Sequence, residues 1–105
     1  MTSAPSYVAP HGLLKDKTVL VTAAAGAGIG FSAAKRAAEE GCKALFVSDV
    51  HERRLAEAVE QIKKDTGLTQ VFGKLCDVSK EDQVQALINE ADQTMGGIDV
   101  LINNA

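Results

Sequence analysis

The sequence has no long apolar run, and none of its stretches approaches the length that crosses a bilayer. Its opening, MTSAPSYVAPHGLLKD, has neither the basic start nor the apolar middle of a signal peptide, so no membrane partner is expected and the chain reads as cytoplasmic. An excess of one charge is missing too. Eleven Lys and Arg against fourteen Asp and Glu give a net charge of -3 and a pI near 5.3. The basic residues are scattered, which leaves no stripe for nucleic acid. Cysteine is scarce: Cys42 and Cys76 are widely separated and have no companion His pairs, so neither a metal site nor a disulfide framework is indicated. They read as small core residues. With 105 residues and 46% apolar content the chain can bury one small core, but it is short for a complete α/β enzyme.

What the sequence does have is a centre, Lys17 to Gly30, KTVLVTAAAGAGIG. Thr18 to Val21 is the unbroken, β-branched apolar run of a parallel strand buried on both faces. Gly26, Gly28 and Gly30 follow, the residue type that lets the backbone take positive φ and lets a bulky anion approach the main chain. From Ile29 the pattern is helical, so the turn presents free N–H groups and the positive end of a helix dipole above the strand. A tight connection with no ligand satisfies the same pattern. A P-loop is excluded because Phe31 and Ser32, not Lys and Ser/Thr, follow Gly30. The strict G-x-G-x-x-G spacing also fails.

Around this centre the chain alternates. Met1 to Leu14, with Pro5, Pro10 and Gly12, suits a surface leader free to be disordered in part; residues 15–105 form the domain. After the turn, Ala33, Ala34, Ala37 and Ala38 recur at helical spacing, and their short side chains let the helix lie close to its strand; Gly41 ends it. Ala44 to Val47 is a second buried strand, ending at Ser48-Asp49. Asp49 lies nineteen residues beyond Gly30, where dinucleotide folds place a carboxylate against the adenosine ribose. A helix N-cap explains Asp49 equally well, since a helix starts around His51. A ribose-binding carboxylate favours NAD over NADP, whereas Arg53 or Arg54 swung toward the ribose would accommodate the extra phosphate. Leu55, Val59 and Ile62 mark the second helix, closed by Thr66-Gly67. Gln70 to Leu75, interrupted by Gly73 and Lys74, is a third strand near a sheet edge. Ser79 is expected to cap a third helix, with Asp82 at its third position and Val84, Leu87, Ile88, Ala91 and Met95 as its buried stripe. Gly96-Gly97 stops that helix, and Ile98 to Ile102 is a fourth strand before Asn103-Asn104-Ala105.

The order β-α-β-α-β-α-β builds an α/β, Rossmann-type parallel sheet with the expected strand order 3-2-1-4. It sets the turn after strand one beside the start of strand four, at the switch point where such sheets bind ligands. Asp49, Asp77 and Asn103 each follow the carboxyl end of a strand and are expected to converge on one crevice.

From Lys17 onward the chain resembles the short-chain dehydrogenase/reductases, whose pattern is Thr-Gly-x-x-x-Gly-Ile-Gly, an acidic or basic selector after strand two, Asp-Val after strand three and Asn-Asn-Ala-Gly after strand four. Gly28-Ile29-Gly30, Asp77-Val78 and Asn103-Asn104-Ala105 match it. The resemblance implies pyrophosphate binding at Ala24, Gly26, Gly28, Ile29 and Gly30, ribose contact at Asp49 and adenine contacts at Asp77 and Val78. Asn103 and Ala105 would line the adenosine side. It also implies NAD or NADP as cofactor, a homo-oligomeric intact protein, and hydride transfer between nicotinamide and a secondary alcohol or ketone. Aligned back from Gly30, Ala24 stands where the family has its first glycine and Ala23 where it has threonine. Alanine is disfavoured at positive φ, so Gly26 is expected to take over the unusual backbone angle. The Ala-Ala-Ala-Gly turn is similar to that of some actinobacterial members associated with steroid-ring and acyl-CoA catabolism. The family's catalytic Ser, Tyr-x-x-x-Lys and active-site Asn have no counterpart: the one tyrosine, Tyr7, precedes the first strand and has His11 four residues on. The chain is therefore expected to be an amino-terminal fragment, inactive alone. A fragment of an S-adenosylmethionine-dependent methyltransferase and a non-catalytic nucleotide-sensing module are the alternatives.

Overall fold

β1, Thr18–Val21, is buried along its whole length because it pairs on both sides. The computed structural model describes residues 6–25 and 28–104. In chain order the other elements are α1 (Ile29–Glu39), β2 (Ala44–Asp49), α2 (Glu52–Thr66), β3 (Val71–Leu75), α3 (Glu81–Met95) and β4 (Val100–Ile102). The four strands form one sheet in the order β3-β2-β1-β4. All pairings are parallel, with Leu20 opposite Phe46 on one side and Leu101 on the other.

Alternation along the strands sorts the core into two layers. Val19, Val21, Leu45 and Val47 face α1 and α2, where Ala34, Ala37, Leu55 and Ile62 complete the packing. Leu20, Ala44 and Phe46 point the other way, against Leu87, Ala91 and Met95 of α3. Phe46, Leu20, Leu45, Ile62 and Leu87 are fully buried, and each stabilises the fold by roughly 1.5–3 kcal/mol. The alanines of α1 hold that helix close to the sheet, as their spacing predicts. Cys42 and Cys76 are buried within these layers, and burial pushes the Cys42 thiol up to about 11, so it is inert near neutrality.

β3 is an edge strand, as its interrupted pattern suggests. A side chain at Gly73 would stand 3.1 Å from Val59 Cγ2 and 3.2 Å from Leu55 Cγ, so this glycine lets α2 lie down on the edge. β4 is shorter than its apolar run. Asp99 Oδ2 accepts the Thr18 N–H at 2.9 Å, and the Asp99 N–H is shared between the Thr18 carbonyl at 3.1 Å and Thr18 Oγ1 at 3.0 Å, so side chains add to the main-chain bond at this end. The Thr18 N–H donated to it holds the Asp99 carboxyl below the usual range. The expected Ser79 cap is not formed. α3 begins at Glu81, after Lys80, and has no side-chain cap bond, because the Ser79 hydroxyl donates to Asp77 Oδ1 at 2.7 Å and closes a turn after β3 instead.

Residues 6–14 cross the carboxyl end of α1. Glu40 Oε1 accepts the His11 and Leu13 N–H groups at 2.8 and 3.1 Å, and Arg36 donates to the Val8 carbonyl at 2.6 Å while pairing with Glu40 Oε2 at 2.6 Å. The Tyr7 hydroxyl donates to Glu39 Oε1 and its ring lies under the Arg36 guanidinium.

Candidate nucleotide site

The carboxyl ends of the strands carry the polar residues, and the first of these follows β1. The Thr22 N–H donates to the Ile102 carbonyl at 3.1 Å, one residue past the end of the strand. Its hydroxyl donates to Asn103 Oδ1 at 3.2 Å and accepts the Asn104 N–H at 3.0 Å. Ala23 then turns with φ of +51°, the left-handed region that alanine rarely occupies, and its carbonyl accepts Asn104 Nδ2 at 3.3 Å. Ala24 is fully buried, with its N–H on the Ser48 carbonyl at 2.9 Å, and the Ala25 N–H reaches Asp49 Oδ2 at 3.1 Å.

The unusual backbone angle thus falls on Ala23, not on the position aligned back from Gly30. The turn from Thr22 to Gly30 holds one residue more than Thr-Gly-x-x-x-Gly-Ile-Gly, so a count forward from Thr22, unlike the count back from Gly30, sets Ala23 at the first glycine of that pattern. Gly26, expected to supply the angle, lies outside the described residues, as does Ala105.

Gly28 leads into α1 with extended backbone (φ −87°), and no side chain caps the helix. No acidic residue stands in its first turn either, and Ile29 is 81% exposed, so the first N–H groups and the positive dipole end are left for an anion. Gly30 is fixed by contact: a Cβ there would lie 2.3 Å from the Ala23 oxygen and 2.6 Å from Asn104 Nδ2. Only glycine lets the helix start press against the turn.

Asp49 ends β2. Its Oδ1 accepts the Val50 and His51 N–H groups at 2.8 and 3.2 Å, while Oδ2 takes Ala25. It is therefore not the cap of α2, whose flanking residue is His51 and which has no side-chain cap bond. Arg53 pairs with Glu57 at 3.2 Å on the solvent face of α2. Asp77, after β3, accepts the Ser79 hydroxyl and N–H on Oδ1, which together hold its carboxyl below the usual range, and its own N–H is bound to Gln83 Oε1 at 2.8 Å. Val78 and Asn103 line one cavity of about 280 Å³ with Thr22, Leu87 and Leu101, on the α3 side of the sheet. Asp49 and Asp77 are not bonded to each other among the described residues; the Cys76 N–H, next to Asp77, donates to the Asp49 carbonyl at 3.0 Å. Among the described residues no group of His, Cys, Asp or Glu is arranged to hold a metal.

The arrangement fits a dinucleotide: a bare helix start above the central strand, a glycine cradle that a Cβ would fill, and a carboxylate at the end of the neighbouring strand. Thr22, Ala25 and Asn104 hold this turn without being marked by the glycine pattern, although Asn104 lies within the Asn-Asn-Ala motif and Thr22 ends the apolar run.

The family model for short chain dehydrogenase matches residues 17–105. A (5R,7aS)-5-hydroxy-7a-methyl-1-oxo-2,3,5,6,7,7a-hexahydro-1H-indene-carboxyl-CoA reductase of Mycobacterium tuberculosis is 48% identical over 105 residues, which is 100% of this chain and 39% of that protein. The crystal structure of a short chain dehydrogenase from Mycobacterium smegmatis superposes with a TM-score of 0.91 at 50% identity, covering 98% of this chain and 41% of the other. L-Sorbose reductase from Gluconobacter frateurii, complexed with NADPH and L-sorbose, superposes with a TM-score of 0.79 at 29% identity over 88% of this chain and 34% of its own. The chain thus spans about two fifths of the length of the more similar two of these proteins.

Proposed function

The chain belongs to the short chain dehydrogenase family, an oxidoreductase family with an NAD(P)-binding fold, and on that footing we propose that it forms the adenosine and pyrophosphate half of the dinucleotide site of a ketone or alcohol oxidoreductase. The observation that carries this is the start of α1. Its N–H groups carry no cap and no acidic neighbour, and Gly30 brings them hard against Ala23 and Asn104. The N–H groups from Gly28 onward hold the pyrophosphate, Asp49 receives a ribose hydroxyl, and Asp77, Val78 and Asn103 border the adenosine. When bound, the nicotinamide supplies or accepts a hydride. The proton donor and the substrate pocket belong to the remainder of the protein, so the 105-residue chain by itself has no turnover. A carboxylate at Asp49 supports NAD over NADP, because it repels a ribose phosphate.

For the substrate we propose a steroid-derived bicyclic ketone or alcohol carried as a coenzyme A thioester, on the strength of the 48% identity to the mycobacterial reductase. The relatives named above are reductases and a dehydrogenase, and they lend no support to a methyltransferase or a sensing module.

The test is made on the full-length protein. NADH is expected to bind more tightly than NADPH, and the protein is expected to interconvert ketone and secondary alcohol on an indane-carboxyl-CoA substrate. Binding of neither dinucleotide overturns the proposal; equal or tighter binding of NADPH overturns only the NAD preference and moves the weight to Arg53 or Arg54.

A further inference from the structure

A carboxylate that reads ribose hydroxyls needs open acceptor positions, and Asp49 has spent most of its own on the protein. Two carboxylate oxygens offer about four acceptor positions. Three are taken by the protein's own main chain: Val50 N–H and His51 N–H on Oδ1, and Ala25 N–H on Oδ2. The third of these comes from the turn after β1, twenty-four residues earlier in the chain. It sits beside a second stitch, Ala24 N–H to the Ser48 carbonyl at 2.9 Å, so two successive N–H groups of the turn are fastened to two successive residues at the end of β2. On the other side the Asp49 carbonyl holds the Cys76 N–H of the segment after β3. The turn needs such fastening, since Ala23 occupies positive φ without being glycine.

We propose that Asp49 is a positioning residue for the pyrophosphate turn, holding it through the Ala25 N–H, and that its direct part in ribose recognition is limited to the one acceptor position left on Oδ2. This rests on the dinucleotide reading above. It reverses an expectation about the cofactor: if Asp49 only repelled a ribose phosphate, removing its charge would improve NADPH binding. With the turn hanging on the carboxylate, Asp49→Asn weakens both cofactors. An asparagine offers one oxygen and one NH₂, so it must set a donor against either Ala25 N–H or the Val50 and His51 pair.

The experiment uses the full-length protein and measures dissociation constants for NADH and NADPH, with KM and kcat where turnover is found. Asp49→Asn is expected to weaken both dinucleotides by about tenfold or more, the loss of one charge-assisted hydrogen bond. KM for the cofactor rises while kcat is retained, whereas partial misfolding lowers kcat at constant KM. The second arm replaces the Ala24–Ala25 amide by an ester, which deletes the Ala25 N–H and leaves the carboxylate intact; it is expected to weaken both dinucleotides likewise. It also decides the matter if Asp49→Asn fails to fold. Weakened NADH with unchanged or tighter NADPH in Asp49→Asn, or unchanged affinities in the ester protein, overturns the tether while leaving the dinucleotide reading intact. If the unmodified protein binds neither cofactor, both readings fall.

Discussion

The two ends of α1 are built in opposite ways. At the carboxyl end charged side chains are engaged by the protein: Arg36 and Glu40 pair with each other and hold the main chain of residues 8–13, and Tyr7 closes over Arg36. At the amino end there is no cap and no acidic residue, whereas α2 begins with Glu52 and α3 with Glu81 and Asp82, whose charges complement their own dipoles. The turn below that bare end is held through backbone groups, the Thr22 hydroxyl, Asp49 and Asn104, and contains a strained alanine. One helix thus keeps its stabilising contacts at one end and has no side-chain cap at the other, where an anion can meet its N–H groups. The difference supports the proposal that the amino end is the functional one, because unspent hydrogen-bonding capacity is retained where a ligand supplies the partner.

The strongest way to break this comparison is to push the amino end out of place. Gly30→Ala puts a methyl group 2.3 Å from the Ala23 oxygen, a backbone atom that cannot swing aside. We expect a loss of about 3 kcal/mol in stability, read from the urea midpoint of the full-length protein, together with loss of dinucleotide binding. A fully stable variant that still binds NADH would show that the helix start is not pressed against the turn.

Next in size is the carboxyl end. Glu40→Gln or Arg36→Met is expected to free residues 6–14, seen as faster proteolysis of that segment and a melting temperature lower by a few degrees. Cofactor affinity should not change, which separates the two ends. If either substitution weakens NADH as much as Gly30→Ala does, the ends are not independent. Acid makes the same test without mutation. The N–H groups of Leu13 and His11, with Arg36, hold the Glu40 carboxyl below its ordinary range. Its contribution is therefore complete above the unfolded value of about 4.3 and is lost as pH falls through the lower folded value. Exchange of the His11 and Leu13 amides should accelerate only below that pH, and an onset near neutrality would exclude Glu40 as the anchor.

The smallest effect sharpens the account of the turn. Ala23→Gly removes the left-handed strain but makes the unfolded chain freer, so the expected net gain is only about 0.5 kcal/mol. A loss of stability of that size would mean that the positive φ at Ala23 is not strained.

Much of the architecture was legible because it depends on periodicity. Thr18 to Val21 could only be a strand buried on both faces, the alanines at helical spacing could only let α1 lie close to the sheet, and a β-α repeat with right-handed crossovers leaves few strand orders. The misreadings involve short polar side chains. Ser79 looked like a helix cap, but Asp77, two residues earlier, took its hydroxyl. Asp49 fits either a cap or a ribose ligand by its place in the chain, and only the cap is set aside, since it holds the Ala25 N–H and α2 has no side-chain cap bond. Counting back from Gly30 sets Ala24 at the family's first glycine and assigns the unusual angle to Gly26, whereas a positive φ falls on Ala23, where the strand fixes the register of Thr22.

By itself, then, the sequence determined the elements, their order and the place of the glycine turn, since apolar spacing and backbone freedom act over a few neighbouring residues. Only the tertiary structure decided which donor meets which acceptor. Ala25 and Asp49, Asn104 and Ala23, and Glu40 and residues 11–13 are brought together by sheet pairing and helix docking across twenty-four to eighty-one positions of chain. A polar side chain has several possible partners of similar strength, and the fold selects among them by bringing one within reach.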